Sequence, residues 1–327
     1  MLTSYKLTHT LLFIALVLFV RPAFAQAVVG PGIHFPNDGV GHDQKPGSLL
    51  VYNTYSSSAA TPVFENTRIN ITNASPSLPV TAHLFFVDGS NCSVADVFVC
   101  LTQNQTASFL ASDFDPGVAG YLVAVAVDGA GCPVVHNFLI GDELIKLASG
   151  HQANLSAESF AARTVPVCDS VSSQVNLDFN GIQYDQMPQT LALSSIVSRA
   201  DGNDTLFILN RVSGNLGIGA DAIGSVFGIL YDDAENAVSF TLLASCQFRS
   251  TLSSNFPRTA PRFTDFIPSG RTGWMKIFSF SGAPLLGAAI NNNPAANPGA
   301  FSQGHNLHKL RLAPTSSFRI PVFPPQC

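Results

Sequence analysis

The chain has 327 residues, of which 46% are apolar and only 11% charged, with 25 Phe, 25 Gly, 21 Pro and a formal charge of −5 at pH 7. So much apolar residue excludes a disordered chain, and so little charge excludes the Glu-, Lys- and Ala-rich pattern of an ordinary helical protein. The acidic balance also excludes general nucleic-acid binding, because a negative surface repels a polyanion.

Residues 1–25 read as a cleaved secretory signal peptide. Lys6 supplies the positive n-region, residues 11–20 form an uninterrupted apolar run, and Ala23-Phe24-Ala25 is a small-x-small cleavage site. The run is well short of the ~20 residues that span a bilayer, and no longer run follows. The expectation is a mature chain that starts at Gln26, keeps no integral membrane segment, and is secreted or held at the cell surface or in the periplasm. Loss of Lys6 and Arg21 with the leader makes it two charges more acidic. Residues 26–46, rich in Gly, Pro and Asn, are expected to be a flexible N-terminal segment.

From residue 47 onward, short runs of Val, Ile, Phe and Thr lie between clusters of Gly, Pro, Asn, Asp and Ser, the pattern of a sandwich or barrel. The first strands are 67–73 and 80–88. Asp113-Phe114-Asp115-Pro116 and Gly120-Tyr121 then lead into a strand at 122–127. Asp142–Ala162 reads as a short helical connector, with Asp142 capping a turn over 143–147 and Gly150 stopping it. Beyond it, strands at 205–210 and 226–232 precede Asp265-Phe266-Ile267-Pro268 and Gly273-Trp274, which lead into a strand at 275–280. Residues 291–303 read as loose, and 310–323 as a last strand.

The two blocks share one order of features, with their Asp-Phe pairs 152 residues apart. The expected fold is therefore all-β: two tandem β-sandwich domains, 47–165 and 166–327, joined by the helical connector. In each block the Pro reverses the chain, the Asp takes backbone N–H groups, and the Phe and the following Tyr or Trp enter the core on either side. Gly120 and Gly273 permit a close backbone approach as the next strand begins.

The segments TRINITN, HLFFVDGSNC, LTQNQTASFLASDFDPGVAGYLVAVAVD and FLIGD resemble a group of uncharacterised exported bacterial proteins over roughly residues 48–162. The resemblance implies export and repeated β-modules. It transfers no catalytic residue.

Six cysteines in the mature part suit an oxidising compartment. Six allow 15 pairings. The preferred set joins Cys92 to Cys100 across a short loop and Cys246 to Cys327 at the end of the second domain, leaving Cys132 for Cys168. Metal ligation is not expected, since no C-x-x-C or C-x-x-H spacing occurs. No cofactor is implied either: G-x-S-x-G, H-E-x-x-H, a phosphate loop and a complete EF-hand loop are all missing.

A few clusters could still carry chemistry. His305 and His308 could share a face and join His42 or His151 around a metal, although loop histidines are usually just solvated. Asp113 with Asp115, and Asp232 with Asp233 and Glu235, could hold calcium, although such pairs more often cap turns. Arg258, Arg262 and Arg271 form the one local basic cluster, suited to a carboxylate or phosphate.

Two functions of different class follow. One is an exported non-catalytic β-sandwich protein, a surface or envelope interaction or structural component with a protein or carbohydrate partner. The other is a secreted hydrolase acting on a glycan-type polymer through paired carboxylates, a pairing that linear spacing cannot reveal. A deep groove with two carboxylates and exposed aromatics would favour the hydrolase. Flat faces with every large aromatic buried would favour the non-catalytic protein.

Overall fold

The computed structural model describes residues 39–168, 171, 173–252, 263–293 and 303–326. It is all-β, with 56% of the chain in strands and almost no helix, and the strands form five small sheets.

Sheet 1a runs β4 (Val94–Leu101), β3 (Val80–Asp88), β6 (Ala119–Val127), β1 (Leu49–Ser56), β9 (Glu158–Phe160). Sheet 1b runs β5 (Thr106–Leu110), β2 (Asn66–Asn73), β7 (Leu139–Lys146), β8 (Gln152–Ser156). In the second half, sheet 2a runs β16 (Ala237–Ala244), β15 (Gly224–Asp232), β18 (Thr272–Ser279), β11 (Pro188–Val197), β21 (His308–Leu312). Sheet 2b runs β17 (Gln247–Thr251), β12 (Asp204–Asn210), β19 (Leu286–Asn292), β20 (Gln303–Asn306). A fifth, cover sheet runs β10 (Gln174–Asp178), β22 (Ser317–Pro321), β13 (Gly214–Asn215), β14 (Gly219–Ala220).

Sheets 1a and 2a thus share one strand order, and so do 1b and 2b. The register agrees as well. Asp88 lies opposite Gly120 and Val87 opposite Tyr121, just as Asp232 lies opposite Gly273 and Tyr231 opposite Trp274. β1 and β11 are each bulged, between Tyr52 and Tyr55 and between Leu193 and Ile196. Glycine is required at the head of β6 and β18 because a Cβ there would collide with the Val87 carbonyl in one half and sit 2.6 Å from the Tyr231 carbonyl in the other.

Four cores hold the sheets face to face in the succession cover, 1a, 1b, 2b, 2a. Leu49, Phe85, Val123 and Val125 of sheet 1a meet Leu177, Phe318 and Ile320 of the cover. The opposite face of 1a, with Leu50, Tyr52, Leu84 and Phe86, meets Ile69 and Ile71 of 1b. Ile145 and Leu155 of 1b meet Ile208 and Ile290 of 2b. Phe207 and Leu209 of 2b meet Leu191, Leu230 and Ile277 of 2a. The arrangement is a propeller-like series of small sheets and does not divide clearly into two sandwiches. The β1, β3 and β6 strands of sheet 1a are buried on both faces, and β6 is accordingly an almost unbroken apolar run.

Several expectations are corrected. Residues 142–162 hold no helical connector; they form most of β7, then β8 and β9. Asp142-Glu143-Leu144-Ile145-Lys146 alternates between faces, with Glu143 and Ile145 buried, and pairs with β2 and β8. The expected last strand is two, β21 and β22, in different sheets. Of segment 26–46, residues 39–46 are described and are pinned: Lys45 pairs with the buried Asp185 at 2.9 Å, and Val40 and His42 bridge to Gln186 and Ser159.

The cysteine pairing also differs. Cys132 joins Cys168 with their Cα atoms 5.8 Å apart, as preferred, but Cys92 joins Cys246, Cα atoms 5.1 Å apart, across the two halves. Cys92 does not reach Cys100, because Cys100 sits near the far end of the extended strand β4, roughly 20 Å from its start at Val94. Cys100 is itself disulfide-bonded, and Cys327 lies outside the described residues. The two described disulfides fit an extracytoplasmic protein. No helix among the described residues is long and apolar enough to cross a membrane.

Candidate functional site

Two concavities stand out, and they divide between them the features that the sequence could only enumerate. The larger, about 710 Å³, lies where the halves meet, between β8 and β9 of the first half and the β11 bulge, β20 and β21 of the second. His42, Asp43, Glu158, His305, His308 and Lys309 all line it. Glu158 is buried and ion-pairs with Lys309. Burial pushes its carboxyl above the ordinary range, while the Lys309 ammonium pulls the other way. Asp43 accepts from Asn306 Nδ2 at 3.0 Å, and His308 Nε2 lies 3.1 Å from the Ser194 hydroxyl. Beside Ser194, Ser195 holds a left-handed backbone, φ +55°, inside the bulge. Burial, together with neighbouring His308, lowers the His305 pKa.

Through Asn306, which lines the cavity, a buried set of polar groups ties the halves together. Asn210 Nδ2 donates to the Asn53 carbonyl at 2.7 Å. Gln247 Nε2 donates to the carbonyls of Asn53 and Gly120 and to Asn210 Oδ1, and Asn53 Nδ2 reaches Asn306 Oδ1 at 2.9 Å. A network so fully satisfied fixes one relative placement of the halves.

The structure thus brings together His42, His305 and His308 but leaves His151 elsewhere, buried against Ser149 Oγ at 3.0 Å. Among the described residues no group of three His, Cys, Asp or Glu is set to hold a metal. In the acidic clusters Asp113 and Asp232 cap turns, while Asp115 and Asp233 pair with other side chains. Asp113 accepts from the Leu110 N–H at 2.9 Å, Asp115 accepts from the Tyr55 hydroxyl, and Asp232 accepts from the N–H groups of Ala234 and Asn236, both at 2.9 Å. Asp233 pairs with Arg271 at 2.6 Å. Arg258 and Arg262 lie outside the described residues.

The second concavity, about 610 Å³, is a groove on the outer face of sheet 2a, lined by Gln189, Thr190, Lys276, Phe278, Phe280 and Arg311 among others. That face corresponds by register to the face of sheet 1a that the cover sheet hides. Along β18, Trp274, Lys276 and Phe278 point outward, and on β15 Phe227, Ile229 and Tyr231 do the same. Phe280 is 62% exposed, Leu243 81% and Trp274 40%.

Trp274 was expected in the core, as was Phe114, which is 39% exposed and packs at a rim against Phe86 and Phe109. Only their counterparts, Tyr121 and Phe266, are buried. A comparison of the two repeated strands carries the signal for the open face. YLVAVAV in β6 is apolar throughout, whereas WMKIFS in β18 sets Lys276 between Met275 and Ile277, a charge that a strand buried on both faces would not carry.

No family model matches the chain, and no curated protein matches it. Among solved structures it is similar to Bacillus subtilis oxalate decarboxylase at pH 4.6, with 10% identity and a TM-score of 0.17, over 76% of this chain and 65% of that one. A deletion mutant of the same enzyme gives 9% identity and a TM-score of 0.14 over 72% and 66% of the two chains. Likenesses of this size carry no argument about fold or chemistry.

Proposed function

We propose that the chain is an exported, non-catalytic protein of two tandem sandwich units, 1a with 1b and 2a with 2b, serving as a surface or envelope interaction component. Export rests on the n-region, apolar run and Ala-Phe-Ala site, and the disulfides are consistent with it. The tandem reading rests on the shared strand orders and registers.

The observation that carries the functional reading is the outer face of sheet 2a: its aromatics are exposed, contrary to the wholly buried set expected of a non-catalytic protein, but they lie apart from the cavity that holds Asp43 and Glu158, so the combination expected of a hydrolase is not formed. One plan is used twice, and in the first half this face is closed by the cover sheet. In the second half none of the described residues covers it, and it carries aromatic rings, which mark an interaction surface when they cluster in the open. The test uses labelled mature protein, starting at Gln26, and isolated cell envelopes. Saturable binding that falls when Trp274 and Phe280 are both changed to Ser supports the reading. Binding that is absent, or indifferent to those changes, rejects it.

A second reading, a secreted glycan hydrolase, draws on one observation: Asp43 and Glu158 share the junction cavity, and Glu158 has the raised pKa that a general acid needs. Against it, Lys309 already occupies Glu158, and the exposed aromatics lie on a different face. Release of reducing ends from polysaccharides that is lost in Glu158→Gln would establish this reading in place of the first.

A further inference from the structure

The open face combines rings with cations in one row. Successive outward residues of β18 are Trp274, Lys276 and Phe278, so the ammonium sits between two aromatic groups about 13 Å apart along the strand. At one end Tyr231 and Trp274 stack, centroids 4.5 Å apart and planes at 11°. At the other, Phe227 lies 5.2 Å from Phe278 and 5.8 Å from Phe280. Arg311 enters the same groove from β21, and among the described residues no carboxylate lines it. No ion pair among the described residues includes Lys276 or Arg311.

Resting on the interaction reading above, we propose that this face binds a carboxylate-bearing polysaccharide, a polyuronate. Its sugar rings would lie on the aromatic faces and its carboxylates would meet Lys276 and Arg311. The charge argument is local. The chain as a whole is acidic, but charges more than about 8 Å away are screened at physiological salt, so the two cations set the field within the groove. Arg presents a planar fork that matches a carboxylate, and Lys a point charge.

The aromatic argument is geometric. The rings line and flank a groove and extend about 13 Å along β18, a span that suits a few linked sugar rings. A peptide strand would instead use the backbone groups along β16 or β21, the edges of the sheet.

The test measures binding of the mature protein to polygalacturonate, to its fully methyl-esterified form, to polyglutamate and to an oligo-dT strand. Sedimentation of the protein alone and the envelope assay above run in parallel. The expected result is binding to polygalacturonate that weakens about tenfold or more on esterification and in the double variant Lys276→Glu/Arg311→Glu, whose melting curve stays that of the wild type. Trp274→Ala should weaken it several-fold.

Equal affinity for the ester, or indifference to the charge reversal, overturns the proposal, as does tighter binding of polyglutamate or oligo-dT. A concentration-dependent dimer abolished by Phe280→Ser would make the face a self-contact and overturn it too. Envelope binding that needs Trp274 and Phe280 without any polyuronate binding overturns this inference and leaves the interaction reading standing. Loss of both removes both.

Discussion

Sheets 1a and 2a are built on one plan and live in different surroundings. Each has the order of a hairpin, a central strand headed by Gly, a bulged strand and a short edge strand, and each packs one face on its own partner sheet. The other face of 1a is roofed by β10, β22, β13 and β14, with Phe179 stacked on Phe318 and meeting Phe160 edge to face. Among the described residues, the other face of 2a has no roof. Residue choice follows the surroundings and not the plan. Val123 and Val125 of β6 occupy the places of Lys276 and Phe278 in β18, and buried Tyr121, whose hydroxyl donates to the Arg211 carbonyl at 2.9 Å, occupies that of half-exposed Trp274. Burial on two faces removes alternation; burial on one restores it.

The sharpest way to break this comparison is to damage the roof. Phe179→Ala should destabilise by about 3–5 kcal/mol, the usual loss for a buried aromatic, read from urea unfolding. A loss below ~1 kcal/mol would mean that the cover sheet contributes little to 1a.

Next comes the covalent link between the halves. Replacing Cys92 and Cys246 by Ser should lower stability by about 2–5 kcal/mol, since a long loop is freed in the unfolded chain. If denaturation then separates into two transitions, the polar network around Asn53, Asn210 and Gln247 does not couple the halves on its own.

Smaller again is the effect of Glu143. It is wholly buried, takes the Thr54 N–H at 3.2 Å through Oε1, and leaves Oε2 unpaired. Burial, with a lesser contribution from Asp142, holds its pKa well above the ordinary carboxyl value of 4.5. A raised acid pKa favours folding at low pH, where the group is protonated in both states. That stability is lost as pH rises from 4.5 through the folded-state value. Glu143→Gln should therefore be more stable than the parent at pH 8 by about 1–2 kcal/mol, with the difference shrinking toward pH 4. A difference independent of pH would contradict the assignment.

The smallest effect belongs to the open face. Phe280→Ser should change stability by no more than about 0.5 kcal/mol, because little packing is lost there.

What could be read in advance follows from which forces are local. Asp113-Phe114 and Asp265-Phe266 were legible because turn chemistry is local, and both do sit in short helical turns, Ala111–Asp113 and Phe263–Phe266, ahead of β6 and β18. The strand at 80–88 was legible for the same reason: an apolar run closed by an Asp turn.

Asp142–Ala162 was misread because Glu, Leu, Ile and Lys favour helix locally, while pairing on both sides, by β2 and β8, decided otherwise. The Cys92–Cys246 bond was illegible because it depends on where two turns from different halves meet. There, Gln247 N donates to the Gly89 carbonyl at 3.0 Å and Ala220 N to that of Cys92, also at 3.0 Å. The junction cavity was half legible. Its histidines were noted, but Glu158 and Lys309, 151 residues apart, could be paired only by folding.

The bond from Cys92 to Cys246 also changes what it means to cut the chain. Val167, between the halves, is 98% exposed, an open invitation to a protease. Yet it lies inside the loops closed by both disulfides, 92 to 246 and 132 to 168. A single cleavage beside it would open a covalent ring without freeing an end piece. The nicked protein would migrate as one species until reduced, and an extracellular protease that reached this point would leave the open face of sheet 2a still tethered to the rest of the molecule.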